Sequence, residues 1–424
     1  MTADGARPAS VHVADGRIAR VAAWEDSPLD SSAVDAGDLL VMPGLVDTHV
    51  HVNEPGRTNW EGFESATRAA AAGGVTTILD MPLNSIPATT TARALAAKRA
   101  AANGKTAVNV EFIGGVVPGN TDQLEGLRDA GVRAFKCFLS PSGVDEFPHV
   151  TERDLSKAFP VLARLGLPLM VHAEDPARLL PGASSTSYAD YLASRPVEAE
   201  HSAIELLVHL VSRAPTPVHV VHLSSATSLA IVRAAKQRGL PLTVETCPHY
   251  LTFAAEEIPD GATQYKCAPP IRSRVERDAL WQALLDGEID LVASDHSPCP
   301  PNMKRTHGDF FAAWGGVASL QLSLSAVWTG ARARGVAAER IAGWMSAAPA
   351  KLAGLGGSKG AIAEGYDADI VVWDPEACLS VDPTKLLHRH PVTPYSGREL
   401  YGVVRATYVG GQLAFGDDLR SPAQ

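Results

Sequence analysis

The sequence predicts an α/β protein: a (β/α)8 TIM-like barrel carrying a small β-sandwich built from both chain ends. Three observations predict it. Eight short apolar runs alternate with helix-patterned stretches through the middle of the chain, as in successive βα units. Both ends of the chain read as strands and lack helical periodicity. The 424 residues exceed one ordinary domain but suit a barrel of about 250 residues or more with an accessory domain.

Taken in order, Ser10–Val21 alternates around Asp15-Gly16 and predicts a hairpin. The eight apolar runs are Leu45–Val52, Thr76–Met81, Val108–Val117, Val132–Leu139, Leu169–His172, Val218–Leu223, Leu242–Thr246 and Leu291–Ser294. Thr58 and Glu61 have capping-box spacing and predict the start of a helix that closes at Gly73-Gly74. Thr89–Asn103 and Ala226–Gly239 read as amphipathic helices ended by Gly or Asn-Gly. Ala368–Trp373 and Val403–Phe415 are β-rich, the second broken by Gly410-Gly411. Neither terminal part has enough strands to bury a core alone, so the two should meet in one sheet structure. The expected boundaries are 1–42 with 355–424 for the sandwich, and 43–354 for the barrel.

Composition narrows the class. Hydrophobic residues make up 46% and charged residues 20%, the balance of a soluble globular protein. A net charge of −10 without a basic run argues against a nucleic-acid or membrane-surface partner. Met1–Ser10 does not read as a signal peptide, and no 18-residue apolar window exists. Five cysteines without a CxxC pair predict free thiols in a cytoplasmic protein.

The chemistry sits at strand ends. His49 and His51 alternate on one face at the end of the first run, where barrel active sites lie, and can converge on a metal. The fifth run ends at His172, the sixth at His222 and the eighth at Asp295, all expected at the barrel mouth. His219, three residues before His222, has opposite parity and should face the helices as a structural residue. Lys136, ending the fourth run, should point inward. A free ammonium there would be costly to desolvate. Read from the residues alone it is either a lysine paired with Asp295 or a neutral amine able to react with CO2.

The order His49-Val-His51, Phe135-Lys136, Val171-His172-Ala-Glu174, Val221-His222-Leu-Ser224 and Ser294-Asp295-His-Ser-Pro298 resembles the cyclic amidohydrolases of the amidohydrolase superfamily over nearly the whole chain. The resemblance implies two divalent metal ions. His49, His51 and Asp295 would hold one, His172 and His222 the other, with Lys136 bridging as a CO2-derived carbamate. It also implies that Asp295 is the catalytic acid–base. Such ligands suit zinc, and also cobalt, manganese, nickel or iron. Homologues that have become scaffolds lose metal ligands, whereas all six positions are filled here.

Within that group the motifs resemble allantoinases. Asn53 stands where dihydroorotases typically carry an arginine for the substrate carboxylate, and Pro141 where dihydropyrimidinases carry a tyrosine. Asn53–Arg57, Trp60–Phe63, Asp80–Ser85, Gly114–Asn120, Ser142–His149 and Lys266–Arg272 carry the likeness. The implied reaction is hydrolysis of allantoin to allantoate, on a small cyclic ureide, in a homotetramer. Asn53, Ser297, Phe147 and Ala268 are the expected substrate contacts, with Glu146-Phe147 as a lid and His249 behind the ligands. Arg57 is the residue that could instead meet a carboxylate. Relatives usually begin with one more strand, so an unpaired sheet edge is expected near Val11–Val13.

Overall fold

A computed structural model describes residues 5–24 and 33–416. In chain order the strands are β1 Ser10–Ala14, β2 Arg17–Ala22, β3 Leu40–Pro43, β4 Leu45–Val50, β5 Val75–Asp80, β6 Asn109–Gly115 and β7 Ala134–Phe138. They continue with β8 Leu169–His172, β9 Val218–Val220, β10 Leu242–Thr246, β11 Leu291–Val292, β12 Ile370–Ser380, β13 Glu399–Val409 and β14 Gln412–Gly416.

Strands β4 to β11 form one eight-stranded sheet in sequential order, each pair parallel. The sheet curls until its ends meet. His296 bridges Val50 in parallel, and the His51 amide donates to the His296 carbonyl at 2.9 Å. Asp47 reinforces this seam from below, accepting from the amides of His49 and Ser294 at 3.1 and 3.2 Å. Burial pushes its carboxyl up to about 6. Val46, Leu79, Ile113, Met170 and Val221 fill the interior, while the helix-facing residues Leu169, Val171, Val218 and Val220 join the larger outer core. This is the predicted barrel.

The other predicted layer is also present. β14, β13, β12 and β3 make an antiparallel sheet in that order, joining residues from both halves of the chain. The β1–β2 hairpin turns at Asp15 and Gly16, both with positive φ (51° and 76°). It docks through Ile18, whose amide donates to the Tyr366 carbonyl at 2.8 Å. Val11 lies against both Ile18 and the Ile370–Val372 face. Among the described residues β1 pairs only with β2, and Val13 is exposed.

Two local readings need correction. Thr58 does not cap a helix: the helix is Phe63–Ala72, its N-cap is Gly62, and no side chain of the cap residue bonds it. Glu54 takes that place from a distance, its Oε2 accepting from the Phe63 amide at 2.9 Å. Glu61 is used elsewhere, accepting from the Arg389 amide at 3.1 Å. His219 does not face the helices. It pairs in register with the interior residue Met170, and its Nε2 lies 2.9 Å from Glu245 Oε2 inside the barrel. The parity argument failed because the ladder stops at Val220 and His222 adopts a left-handed backbone (φ 43°).

Candidate metal centre

The six groups expected to bind metal converge at the C-terminal mouth of the barrel. His49, His51 and Asp295 are buried, with ligand atoms all within 4.8 Å of one another. His49 Nε2 is 3.2 Å and His51 Nε2 3.6 Å from Asp295 Oδ1. Opposite them, His172 Nδ1 and His222 Nε2 are 3.0 Å apart. The rings of His49 and His222, 5.4 Å apart between centroids, connect the two groups. Lys136 reaches in from β7 with its ammonium 4.6 Å above the Phe138 ring, and that ring stacks on His172 at 4.7 Å.

Electrostatics make this a poor site to leave without a cation. Lys136 is fully buried and its Nζ has no hydrogen-bond partner among the described residues; burial pulls the amine down to about 8, partly opposed by Asp295. Burial pulls His51 down to about 4 and His222 well below the ordinary imidazole range, so both are neutral donors of lone pairs. Burial alone would raise Asp295, yet the imidazoles of His49, His51 and His222 hold it well below the usual carboxylate range. His222 Nδ1 is also without a partner. A buried anion, neutral imidazoles and an orphaned amine are a donor set that fits divalent metal.

Residues beyond the six hold them in place. His49 Nδ1 lies 2.6 Å from Glu245 Oε1, and the same carboxylate takes His219 through its other oxygen. His172 Nε2 lies 2.6 Å from Glu174 Oε2, which is paired in turn with Arg195 at 2.5 Å. Carboxylates behind ligand histidines fix the ring and its tautomer. Neither was assigned from sequence. Glu245 had a signal, being an acid inside an apolar strand, and Glu174 stood within a quoted motif.

The substrate contacts are less uniform. Asn53 is buried with φ 67°, its Nδ2 donating to Pro298 O at 3.4 Å while Oδ1 has no partner. Ser297 is buried beside Gly316, where a Cβ would sit 2.6 Å from its Oγ. Ala268 is partly exposed. Phe147 is fully buried in the interior cluster, edge-on to Phe138 at 6.0 Å, and a Cβ on Gly115 would strike its ring. The segment is held down by an ion pair between Glu146 and Arg57. Arg57 also donates to Asn84 O at 3.0 Å and lies 5.0 Å over the Trp60 ring. It is therefore engaged with Glu146 and the Asn84 carbonyl, and not free to meet a substrate carboxylate. His249 is buried with both ring nitrogens unpartnered, packed 4.2 Å from the Tyr250 ring.

Comparison with known proteins agrees with this geometry. Residues 40–414 match the amidohydrolase family. The chain is 51% identical to the allantoinase of Streptomyces avermitilis over 98% of its length and 94% of that protein. It is 44% identical to the allantoinase of Arabidopsis thaliana, over 98% and 87%. Among solved structures, the L-hydantoinase (dihydropyrimidinase) of Arthrobacter aurescens matches with a TM-score of 0.90 and 31% identity, over 100% of this chain and 95% of that one. With the family matched across most of its length, and allantoinases aligned over nearly all of it, the chain belongs to the amidohydrolase family.

Proposed function

We infer that this chain hydrolyses the cyclic amide of allantoin to allantoate, using two divalent metal ions at the barrel mouth. The observation that carries the reading is the convergence of the buried His49, His51 and Asp295, whose ligand atoms lie within 4.8 Å of one another. His49, His51 and Asp295 would hold one ion, His172 and His222 the other, and Lys136 would bridge as its CO2-derived carbamate. Zinc, cobalt, manganese, nickel and iron all accept such ligands. Bound metal supplies the Lewis acidity that makes water nucleophilic at neutral pH and polarises the ring carbonyl.

The protein's own groups do the rest. Asp295 stays ionised at neutral pH, so it can take a proton from the attacking water and return it to the leaving ring nitrogen. Burial lowers the Lys136 amine to about 8, so a larger fraction than in an ordinary lysine is in the neutral form that adds to CO2. Phe147 and the Arg57–Glu146 pair close the mouth against solvent. Asn53, Ser297 and the Ala268 backbone supply neutral donors and acceptors for a ureide.

Identity to allantoinases supports allantoin as substrate, and the hydantoinase likeness makes hydantoin the first alternative. Side-by-side turnover of allantoin, hydantoin, dihydrouracil and dihydroorotate tests this. Allantoin should be preferred, with dihydroorotate at least about 100-fold poorer, a difference of about 2.7 kcal/mol. Comparable turnover of dihydroorotate would overturn the substrate assignment. We also propose the division into a 43–354 catalytic barrel and a composite sandwich of 1–42 with 355–424. The five free thiols support a reducing, cytoplasmic setting, and among the described residues no helix is long and apolar enough to cross a membrane. A homotetramer is the expected assembly, to be checked by light scattering.

A further inference from the structure

A histidine that gives one ring nitrogen to a metal carries its proton on the other, and that proton needs an acceptor. Glu245 faces the second nitrogen of His49, and Glu174 that of His172, each at 2.6 Å. Among the described residues His51 has no carboxylate there. Its Nδ1 faces the side-chain amide of Asn84, with 3.4 Å between Nδ1 and Nδ2. The other amide atom, Asn84 Oδ1, is buried without a partner among the described residues.

As drawn, the Asn84 nitrogen donates to Nδ1, which leaves the His51 proton on Nε2. Yet Nε2 is the atom 3.6 Å from Asp295 and on the side of the metal ligands. Exchanging the two amide atoms, which are nearly equivalent in shape, removes the conflict. The orphaned oxygen then meets an Nδ1–H, and Nε2 is free to face a cation. We propose that Asn84 is a positioning residue for the metal centre, its amide oxygen accepting from His51 Nδ1–H. The proposal rests on the reading that His51 is a ligand through Nε2.

The backbone is built to hold the amide there. Asn84 has φ 66°, a left-handed conformation that asparagine tolerates better than most side chains. Arg57 clamps it, donating from Nη1 to Asn84 O at 3.0 Å and from its amide to Asn53 O at 3.1 Å. The side chain is 1% exposed, so water does not compete freely for Nδ1.

Two substitutions separate the amide from the backbone. Asn84→Gly keeps the left-handed conformation and removes the acceptor; Asn84→Asp keeps both. Metal-stripped wild type and variants are titrated with Zn2+ against a competing chelator, and thermal melting of the stripped proteins checks folding. Asn84→Gly should bind zinc about 10- to 100-fold more weakly, while Asn84→Asp stays within about threefold of wild type. Equal zinc affinity in wild type and Asn84→Gly would overturn the inference while leaving the metal centre intact. So would an Asn84→Asp variant that folds yet binds as poorly as Asn84→Gly. Failure of wild type itself to bind zinc or any other divalent ion would instead overturn the metal centre on which the inference rests.

Discussion

Replacing Lys136 by methionine separates what the amine does for the metal from what it costs the fold. Its Nζ is buried without a hydrogen-bond partner, and burial lowers it from its ordinary 10.5 to about 8. At about 1.4 kcal/mol per tenfold change in proton affinity, that fall is about 3 kcal/mol. The sign follows from the direction. Below pH 8 the amine is protonated in both folded and unfolded chains, and the folded one bears the full penalty. The penalty fades as pH rises from about 8 to 10.5 and is absent above. Methionine fills a similar volume without charge, so metal-stripped Lys136→Met should be more stable than metal-stripped wild type at pH 7, by up to about 3 kcal/mol. It should also lose most bound metal and activity, because the bridging anion is gone. Urea unfolding in the presence of chelator reads the first effect; elemental analysis and allantoin turnover read the second. A stripped variant less stable than stripped wild type would refute the electrostatic argument. Full retention of metal would refute the bridge, as would a bare ammonium at Lys136 in a crystal structure with both metals bound.

Removing metal from wild type with a chelator should abolish turnover, and zinc, cobalt or manganese should restore it; unaffected activity would exclude the metal mechanism. Glu245→Gln should weaken metal binding by about 10-fold or more, since one carboxylate orients His49 and holds His219, a loss measurable by competitive zinc titration. Arg57→Ala frees both Glu146 and the Asn84 carbonyl, so faster amide hydrogen exchange across 142–149 and a fall of about 10-fold in kcat/KM are expected. Asn53→Arg places a charge at a buried position and should lower allantoin kcat/KM at least about 10-fold, roughly 1.4 kcal/mol, without creating dihydroorotase activity.

The barrel was legible because parallel strands covered on both faces read as unbroken apolar runs. All eight runs became strands, and Leu169–His172 and Leu242–Thr246 agree at both ends. Six runs moved at the mouth, and three of these also shifted by one or two residues at their N-terminal ends. The first strand stops at Val50 and not Val52, because the Val52 amide turns to Asp80 Oδ1 at 2.9 Å. The eighth stops at Val292, because the Ser294 amide is taken by Asp47. Thr58 misled for a related reason. Its spacing matches a capping box, but the acceptor for the helix came from Glu54, which no local pattern reveals.

The candidate metal-binding groups stood out because each lies in or just beyond the C-terminal part of a strand and has a distinctive side chain; Glu245 did not, because it acts on His49 from another strand, while Glu174 stands only two residues after His172. Four site residues share a further property that periodicity cannot express. Asn53, Asn84, His222 and Asp295 all have left-handed backbones, with φ of 67°, 66°, 43° and 46°. Only two other non-glycine residues among those described, Asp15 and His307, do so. Such residues cost on the order of 1 kcal/mol or more each and persist where surrounding contacts enforce them. Here the enforcing contacts are Arg57 for both asparagines, Glu245 Oε1 accepting from the His222 amide at 3.3 Å, and the His51–His296 seam beside Asp295. Each of the four left-handed site residues lies two to four residues beyond the end of a strand, where the alternation no longer holds, which is why counting back from His222 placed His219 on the wrong face. An alternating pattern can therefore lead to the rim of the barrel, but the turns that bring His222 and Asp295 to the candidate metal centre are held by carboxylates and carbonyls from neighbouring strands.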